Sequence, residues 1–219
     1  MAFTDTINSG LRRIPAWTIY IAGAVYVGAM FYLALIGRMG PEPINALERE
    51  YGETALILLV VGLLVTPLRR WFGINLMKFR RAIGVTAFFI VLAHFLVWAV
   101  LDVRELGRIW EEIVKRPYVT VGTLSFLLLI PLVVTSNNLA VRKLGAAGWR
   151  RLHKLTYPAA ILAALHYLWL AKGFQIEPIL YLAGIAGLVG LRVWWNRGAK
   201  NAVTGKSGRE SSRSRPDPA

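Results

Sequence analysis

Residues 80–103 read RRAIGVTAFFIVLAHFLVWAVLDV, and this stretch decides the fold class. It opens on two arginines and ends beside Asp102, while positions 82–101 between them carry no Lys, Arg, Asp or Glu. About 20 apolar residues are the length of helix that crosses the ~30 Å hydrocarbon layer of a bilayer. The stretch therefore predicts a membrane-spanning helix with one ionisable side chain, His94, deep inside it.

The rest of the chain repeats this pattern of apolar runs separated by charged segments. Apolar residues make up 56% of the 219 residues, and the charged ones are grouped between the runs. The predicted spans cover residues 16–36, 54–68, 82–101, 119–135, 155–171 and 179–195. We therefore predict an all-α membrane protein, a six-transmembrane-helix bundle formed by residues 15–196. An N-terminal segment, 1–14, precedes this domain, and a basic disordered tail, 197–219, follows it.

The charges predict the orientation of the bundle. Most of the 26 Lys and Arg residues, which outnumber the 12 Asp and Glu, lie before the first span, in alternate connections and after the sixth span. Most acidic residues fall in the other connections. The positive-inside rule then places both termini of this multi-pass protein in the cytoplasm. Insertion into a bilayer accounts for the net charge of +14, so no nucleic-acid partner is predicted.

Cysteine usage and loop length exclude several kinds of site. With no cysteine, the chain has no disulfide, no iron–sulfur cluster and no thiolate metal site. The short connections leave no room for an extramembrane catalytic or nucleotide-binding domain. The longest, residues 102–117, alternates charged and apolar residues and predicts a short amphipathic helix at the outer surface.

Prolines and glycines also lie within the predicted spans. Pro67 and Pro131 are tolerable there if a neighbouring group satisfies the carbonyl that each proline frees. The glycines are predicted to permit close helix packing. They are Gly84, Gly122, Gly184, Gly187 and Gly190.

Two of the three histidines lie at the same predicted depth. His94 is thirteen residues after Arg81, and His166 is twelve residues after Lys154. At about 1.5 Å per residue, both rings lie roughly 18–20 Å from the inner boundary, on helices that run in the same direction. Two imidazoles at one level can bind the iron of a flat metalloporphyrin from its two faces. The alternative is a hydrogen-bonded contact between helices.

His153 is predicted to lie elsewhere. It precedes His166 by thirteen residues, about 20 Å along a helix, so the two cannot ligate the same iron. It is either an interfacial histidine among basic residues or a ligand at the inner face.

Two further groups of residues are candidates for the site. Basic residues at the inner boundary either serve topology alone or also bind haem propionates, a flavin phosphate or an acidic partner; they are Arg80, Arg81, Arg150 and Arg151. Trp98 and Trp169 are candidates for lining a haem pocket. The alternative is that they belong to the aromatic belt at the membrane interface or pack between helices.

Several short motifs match a known family. They are NALERE at 45–50 with Gly52 and Glu53, TPLRR at 66–70, RPYVTVG at 116–122, WRRLHKL at 149–155 and LHYLW at 165–169. From about residue 10 to 195 the chain resembles the MsrQ (YedZ) family, within the ferric-reductase-like transmembrane superfamily.

The resemblance implies a function in electron transfer. It implies a six-helix bundle with haem b, which receives electrons from quinol or from a cytosolic flavin reductase through bound FMN. It also implies delivery to a periplasmic molybdopterin subunit that reduces methionine sulfoxide. Relatives with two haems carry two histidines, thirteen or fourteen residues apart, on each of two helices. His153 and His166 fit that spacing, whereas Arg80 occupies the position fourteen residues before His94.

The sequence is also compatible with two rival functions. One is a stand-alone transmembrane ferric or quinone reductase. The other is a small non-redox membrane transporter, in which the histidines relay protons or pack helices together. Transporters of this kind usually show internal repeats, and the sequence shows none.

Overall fold

A computed structural model describes residues 2–171 and 174–213, and all the regular structure in these ranges is helical. The helices are α1 (Ala2–Arg13), α2 (Trp17–Leu35), α3 (Pro43–Phe72), α4 (Arg80–Leu96), α5 (Leu106–Lys115), α6 (Pro117–Val134), α7 (Asn138–Leu152), α8 (Thr156–Leu170) and α9 (Ile176–Arg213). Short 3₁₀ turns lead into α4 and α8, and a π-helical segment, Val97–Val103, extends α4. The predicted all-α class is confirmed.

Among the residues that the structure describes, five helical segments are long and apolar enough to cross a membrane. They are Trp17–Leu35, Pro43–Phe72, Met77–Val103, Pro117–Val134 and Ile176–Trp195. The remaining predicted span, 155–171, corresponds to α8, which has 15 residues. Its length of about 22 Å is less than the ~30 Å of a hydrocarbon layer. Length and composition therefore support a multi-pass membrane protein with five candidate spans.

Helix α3 is longer than the sequence pattern indicates. Its 30 residues begin at Pro43, eleven positions before the predicted start of the second span. The charged residues near its beginning ended the apolar run in the sequence, but they do not end the helix. Charge therefore marks where the apolar surface stops, and the helix continues for about three further turns beyond that point.

Four helices, α3, α4, α6 and α8, surround the centre of the bundle. Leu59, Ala87, Leu129 and Ala159, one from each of these helices, belong to one buried cluster. The buried hydroxyl of Ser125 donates to the carbonyl of Ala159 at 2.8 Å, which joins α6 to α8. Small residues along α8 permit this close approach, as is usual between membrane helices.

Helices α2 and α9 flank this central group on two sides. On α2, which has no buried residue, Tyr26 bonds to Glu50 and Thr54 of α3, and Gly23 lies directly against Thr86 of α4. On α9, Ile185 is fully buried in a cluster with residues of α3 and α8. Both helices thus leave a broad apolar surface facing outward, as a bilayer requires.

The segments predicted to be cytoplasmic gather at one end of the bundle. Lys78, between α3 and α4, donates to the carbonyl of Arg12 in α1. Arg81 donates to Asn138 at the beginning of α7, 2.9 Å away. The guanidinium of Arg70 lies 4.4 Å from the ring centre of Trp195 near the end of the apolar part of α9. The basic segments, which alternate with acidic ones along the sequence, therefore lie together in the structure.

Two predicted segments outside the spans have helical backbone. Helix α5 lies within residues 102–117, where a short helix was predicted. Helix α9 continues to Arg213, into the segment predicted to be disordered. The last part of that segment, 214–219, lies outside the described residues.

Candidate functional site

The structure brings the rings of His94 and His166 together. His94 lies in the last turn of α4 and His166 in α8. The two ring centroids are 6.3 Å apart and the ring planes meet at 78°. Counting residues from the basic boundary predicted that the rings lie at one level, and the structure agrees. Their role as ligands stays a prediction.

Each ring is held by a hydrogen bond at Nδ1. His94 Nδ1 lies 2.8 Å from the carbonyl oxygen of Glu48 on α3, and His166 Nδ1 lies 2.7 Å from that of Tyr118 on α6. A carbonyl can only accept, so Nδ1 carries the proton in both rings. The lone pair of each neutral ring is therefore on Nε2, and this is the tautomer that binds a metal through Nε2.

A glycine lies directly beneath each ring. A Cβ atom built on Gly52 would lie 3.1 Å from His94 Nδ1, and one built on Gly122 would lie 2.8 Å from His166 Nδ1. Glycine thus lets the helix backbone come close to the imidazole at both places.

The two histidines line a cavity of about 790 Å³. Its volume lies within the range of about 300–1,000 Å³ that is usual for cofactor sites. Its deeper wall is apolar and includes Leu59, Val91, Phe95, Trp98, Phe126 and Leu129. Its outer part carries polar and charged residues, among them Glu42, Asn45, Glu48, Arg49, Asp102, Arg116 and Glu177. The cavity thus extends from the core to the end of the bundle opposite the basic segments.

These residues fit a metalloporphyrin bound between two imidazoles. Metal–imidazole bonds in proteins are about 2.0–2.1 Å long. Two imidazoles that bind one metal ion from opposite sides therefore have ring centroids roughly 6 Å apart, because each side adds one bond and the distance from the bonded nitrogen to its ring centroid. The observed separation is 6.3 Å. Apolar walls suit the porphyrin, and a group of at least three Asp, Glu or His side chains that could hold a bare metal ion is absent from the described residues. The arrangement therefore fits haem better than an isolated ion.

His153 does not line this cavity. Its ring stacks on Trp149 with centroids 3.8 Å apart, and its Nε2 lies 3.0 Å from the hydroxyl of Thr135. That hydroxyl donates to the carbonyl of Pro131, so it accepts the hydrogen from His153 Nε2. Burial lowers the pKa of His153, and the nearby charges of Arg80 and Arg81 lower it further.

Of the other residues that the sequence suggested for the site, the structure places only some at the cavity. Trp98 lines the cavity, whereas Trp169 does not and is 55% exposed. The four arginines proposed for propionates, Arg80, Arg81, Arg150 and Arg151, are not among the lining residues. The arginines that line the cavity are Arg49 and Arg116, which sequence reasoning missed because they lie on the acidic side of the chain.

Known proteins match this chain over most of its length. Residues 51–164 match the family model described as "Ferric reductase like transmembrane component". The "Protein-methionine-sulfoxide reductase heme-binding subunit MsrQ" of Agrobacterium fabrum is 42% identical over 197 residues, which cover 88% of this chain and 91% of that protein. The protein of the same name from Brucella ovis is 43% identical over 79% of each chain, as is that from Brucella canis.

No solved structure matches this chain. The family model nevertheless covers more than half of the residues, from Tyr51 in α3 to Ala164 in α8. It includes α4 and α6 and parts of α3 and α8, and it ends two residues before His166. Identity above 40% over most of both chains is well beyond a shared fold alone. The chain therefore belongs to the MsrQ family, and its central helices form a ferric-reductase-like transmembrane component.

Proposed function

We propose that this chain is the haem b-binding membrane subunit of a methionine-sulfoxide reductase system, with His94 and His166 as axial ligands of the haem iron. The observation that carries the proposal is the geometry of the two rings, 6.3 Å apart with each Nδ1 bonded to a backbone carbonyl. Nδ1 is occupied in both rings, which leaves the two Nε2 lone pairs available as metal ligands. The printed names of the relatives, "heme-binding subunit", support the same function.

The proposed topology has six spans with both termini in the cytoplasm. It comprises the domain 15–196 in the bacterial inner membrane, preceded by the segment 1–14 and followed by the tail 197–219. The gathering of basic segments at one end supports this orientation. The cavity then reaches the periplasmic side, because its charged outer part lies at the opposite end.

In this function the protein conducts electrons and does not bind the final substrate. Haem iron, when bound, supplies a one-electron couple, and the helices supply its position and an apolar setting. We propose quinol or a cytosolic flavin reductase, acting through FMN, as the donor. The acceptor is a periplasmic molybdopterin subunit, which uses two electrons and two protons to convert methionine sulfoxide to methionine and water. The outer segments 38–53 and 102–116 face that partner.

For His153 the bonds to its neighbours favour an interfacial role. Its Nε2 donates to Thr135 and its ring is covered by Trp149. A role as a ligand at the inner face would require this ring to leave Thr135. The test below includes His153 for that reason.

Haem content of purified variants tests the ligand assignment. His94→Ala and His166→Ala should each lose at least about nine-tenths of the haem, measured by the pyridine haemochrome spectrum, because one remaining imidazole binds far more weakly than two. His153→Ala is the matched control and should keep the wild-type content. Full haem in both ligand variants would refute the assignment. A colourless wild-type protein would instead favour the transporter.

Reoxidation of the reduced protein tests the acceptor. After anaerobic reduction, a small catalytic amount of the molybdopterin subunit together with excess methionine sulfoxide should reoxidise all of the haem. Methionine sulfoxide alone should not reoxidise it, and the subunit alone should remove no more than about two electrons per molybdenum. Rapid reoxidation by ferric citrate or a soluble quinone, with no response to the subunit, would favour a stand-alone reductase. Flavin fluorescence of the heat-released extract measures bound FMN.

A further inference from the structure

We infer that Gly52 and Gly122 are positioning residues, each of which allows a ligand histidine to reach a backbone carbonyl and thereby sets the redox potential of the bound haem. The inference rests on the proposed function, because it assigns the glycines a role through His94 and His166. It adds two residues that line the same cavity and act through the histidine rings.

The same arrangement occurs twice in the bundle. On α3, Glu48 supplies the carbonyl and Gly52 is four residues later; on α6, Tyr118 supplies the carbonyl and Gly122 is four residues later. Residues four apart lie on one face of a helix, one above the other. Each imidazole therefore crosses the helix face at the glycine and bonds to the carbonyl one turn before it. Two different helix pairs, α3 with α4 and α6 with α8, use this solution.

The glycines are close to the rings and not simply close to a neighbouring helix. The three atoms nearest to a Cβ on Gly52 are all ring atoms of His94, at 3.1, 3.1 and 3.8 Å. Those nearest to a Cβ on Gly122 are all ring atoms of His166, at 2.8, 3.0 and 3.1 Å. Gly23 differs, because the atoms nearest to its Cβ belong to Thr86. Gly23 therefore lets α2 pack closely against α4.

A methyl group at either glycine would push the ring away from the carbonyl. At position 122 the 2.8 Å separation from Nδ1 is shorter than real Cβ contacts allow, so the ring must move. At position 52, 3.1 Å requires a shift of a few tenths of an ångström. Weakening the Nδ1 bond makes the imidazole a poorer electron donor, since this bond raises ligand basicity. A poorer donor stabilises ferric iron less, so the redox potential rises.

The test compares four alanine variants of the full-length, haem-loaded protein in detergent. Gly122→Ala and Gly52→Ala alter the proposed positions. Gly23→Ala is the control for helix packing, and Gly84→Ala is the control for a glycine with no described atom within 4 Å of its Cβ. The measurement is an equilibrium redox titration of the haem absorbance, together with the unfolding temperature.

We expect the ratio of reduced to oxidised haem at a fixed solution potential to rise about three- to tenfold in Gly122→Ala. A tenfold change corresponds to 59 mV for a one-electron couple. Gly52→Ala should show a smaller rise, and both controls should keep the wild-type potential. If Gly122→Ala and Gly52→Ala retain haem at the wild-type potential, the inference is wrong.

Loss of haem is also decisive. If both variants lose haem while the haem-free chain unfolds at the wild-type temperature, the rings have been displaced and the inference is supported. If the haem-free chain is destabilised as much as in Gly23→Ala, the glycines serve packing and the inference is overturned. Haem retained in His94→Ala and His166→Ala would instead refute the ligand assignment, which is a separate failure.

Discussion

The guanidinium of Arg192 donates a 2.6 Å hydrogen bond to the backbone carbonyl of Leu63. In an unbroken helix this carbonyl would accept from the N–H four residues later, but that residue is Pro67, which has no N–H. Arg192 is only 6% exposed. The bond therefore satisfies the carbonyl that a proline frees within the membrane and ties α9 to α3.

Replacing Arg192 should destabilise the bundle through that carbonyl. We expect Arg192→Leu to lower the free energy of unfolding by about 1–3 kcal/mol, the usual cost of a buried polar group left without a partner. In a Pro67→Ala background the new N–H can bond to Leu63, so the same substitution should cost less than about 1 kcal/mol. Unfolding in detergent, measured for the four members of this double-mutant cycle, checks the difference.

Arg69→Leu, at an exposed position on α3, is the control variant: it removes a positive charge without removing a buried hydrogen bond. This variant should unfold within about 0.5 kcal/mol of wild type. Equal costs of Arg192→Leu in both backgrounds would show that Arg192 stabilises the bundle by some other contact, such as the one with the Tyr157 ring.

Tyr26 should hold α2 against α3. Its hydroxyl lies 2.7 Å from the Thr54 hydroxyl and donates to the Glu50 carboxylate at 3.0 Å, while α2 itself has no buried residue. Tyr26→Phe should therefore lower the free energy of unfolding by about 1–2 kcal/mol and speed amide exchange in α2. Tyr20→Phe, at an exposed position on the same helix, is the control. Equal exchange in both variants would contradict this role.

The fold could be predicted because membrane insertion depends on few variables. Apolar length and alternating charge located all the core helices, and counting residues brought His94 and His166 to one level. Helix ends could not be read in the same way. The charges before the second predicted span mark the edge of the apolar layer, but the backbone of α3 stays helical beyond that edge. The helix begins at Pro43, and proline is favoured at a first helical position.

Two features of the site were not predictable from the sequence. They are the hydrogen bonds from the histidine rings to backbone carbonyls and the glycine beneath His94. A backbone carbonyl has no residue signature, and Gly52 lies before the second predicted span, where packing against another span was not expected. Gly122 was predicted to permit helix packing, but the atoms that approach it are those of a histidine ring. The other glycines of that group, Gly84, Gly184, Gly187 and Gly190, have no described atom within 4 Å of an added Cβ. Their predicted role in close packing was wrong.

His153 should make the stability of the protein depend on pH. Burial, with the charges of Arg80 and Arg81, lowers its pKa below the value of about 6.5 in an unfolded chain. The unfolded state then binds the proton more tightly, so the contribution to stability is full above about pH 6.5 and is lost as the pH falls below it. His153→Gln keeps a donor for Thr135 but does not titrate.

The measurement is the unfolding temperature of wild type and His153→Gln from about pH 8 to pH 5. We expect the wild-type curve to fall more steeply on acidification, and the difference between the two curves to appear below about pH 6.5. Parallel curves would mean that His153 carries no proton-linked stability.

Helix α8 decides whether the chain crosses the membrane six times. Its 15 residues measure about 22 Å, short of the ~30 Å hydrocarbon layer. The segment before it is basic, and it runs alongside α6 at the centre of the bundle, joined by the Ser125 bond. A short helix packed against neighbours can still cross, because the bilayer thins locally at modest cost. We therefore expect its two ends to face opposite compartments.

Single introduced cysteines can report which compartment each end of α8 faces, because the chain has no cysteine of its own. Lys143→Cys lies before α8 at an exposed position, and Phe174→Cys lies after it at a residue that is 86% exposed. A membrane-impermeant maleimide applied to spheroplasts should label Phe174→Cys, and Lys143→Cys only after the membrane is opened. Glu111→Cys, on α5, is the control for the outer side. Identical labelling of the cysteines at 143 and 174 would mean that α8 does not cross, and the C-terminal tail would then lie in the periplasm.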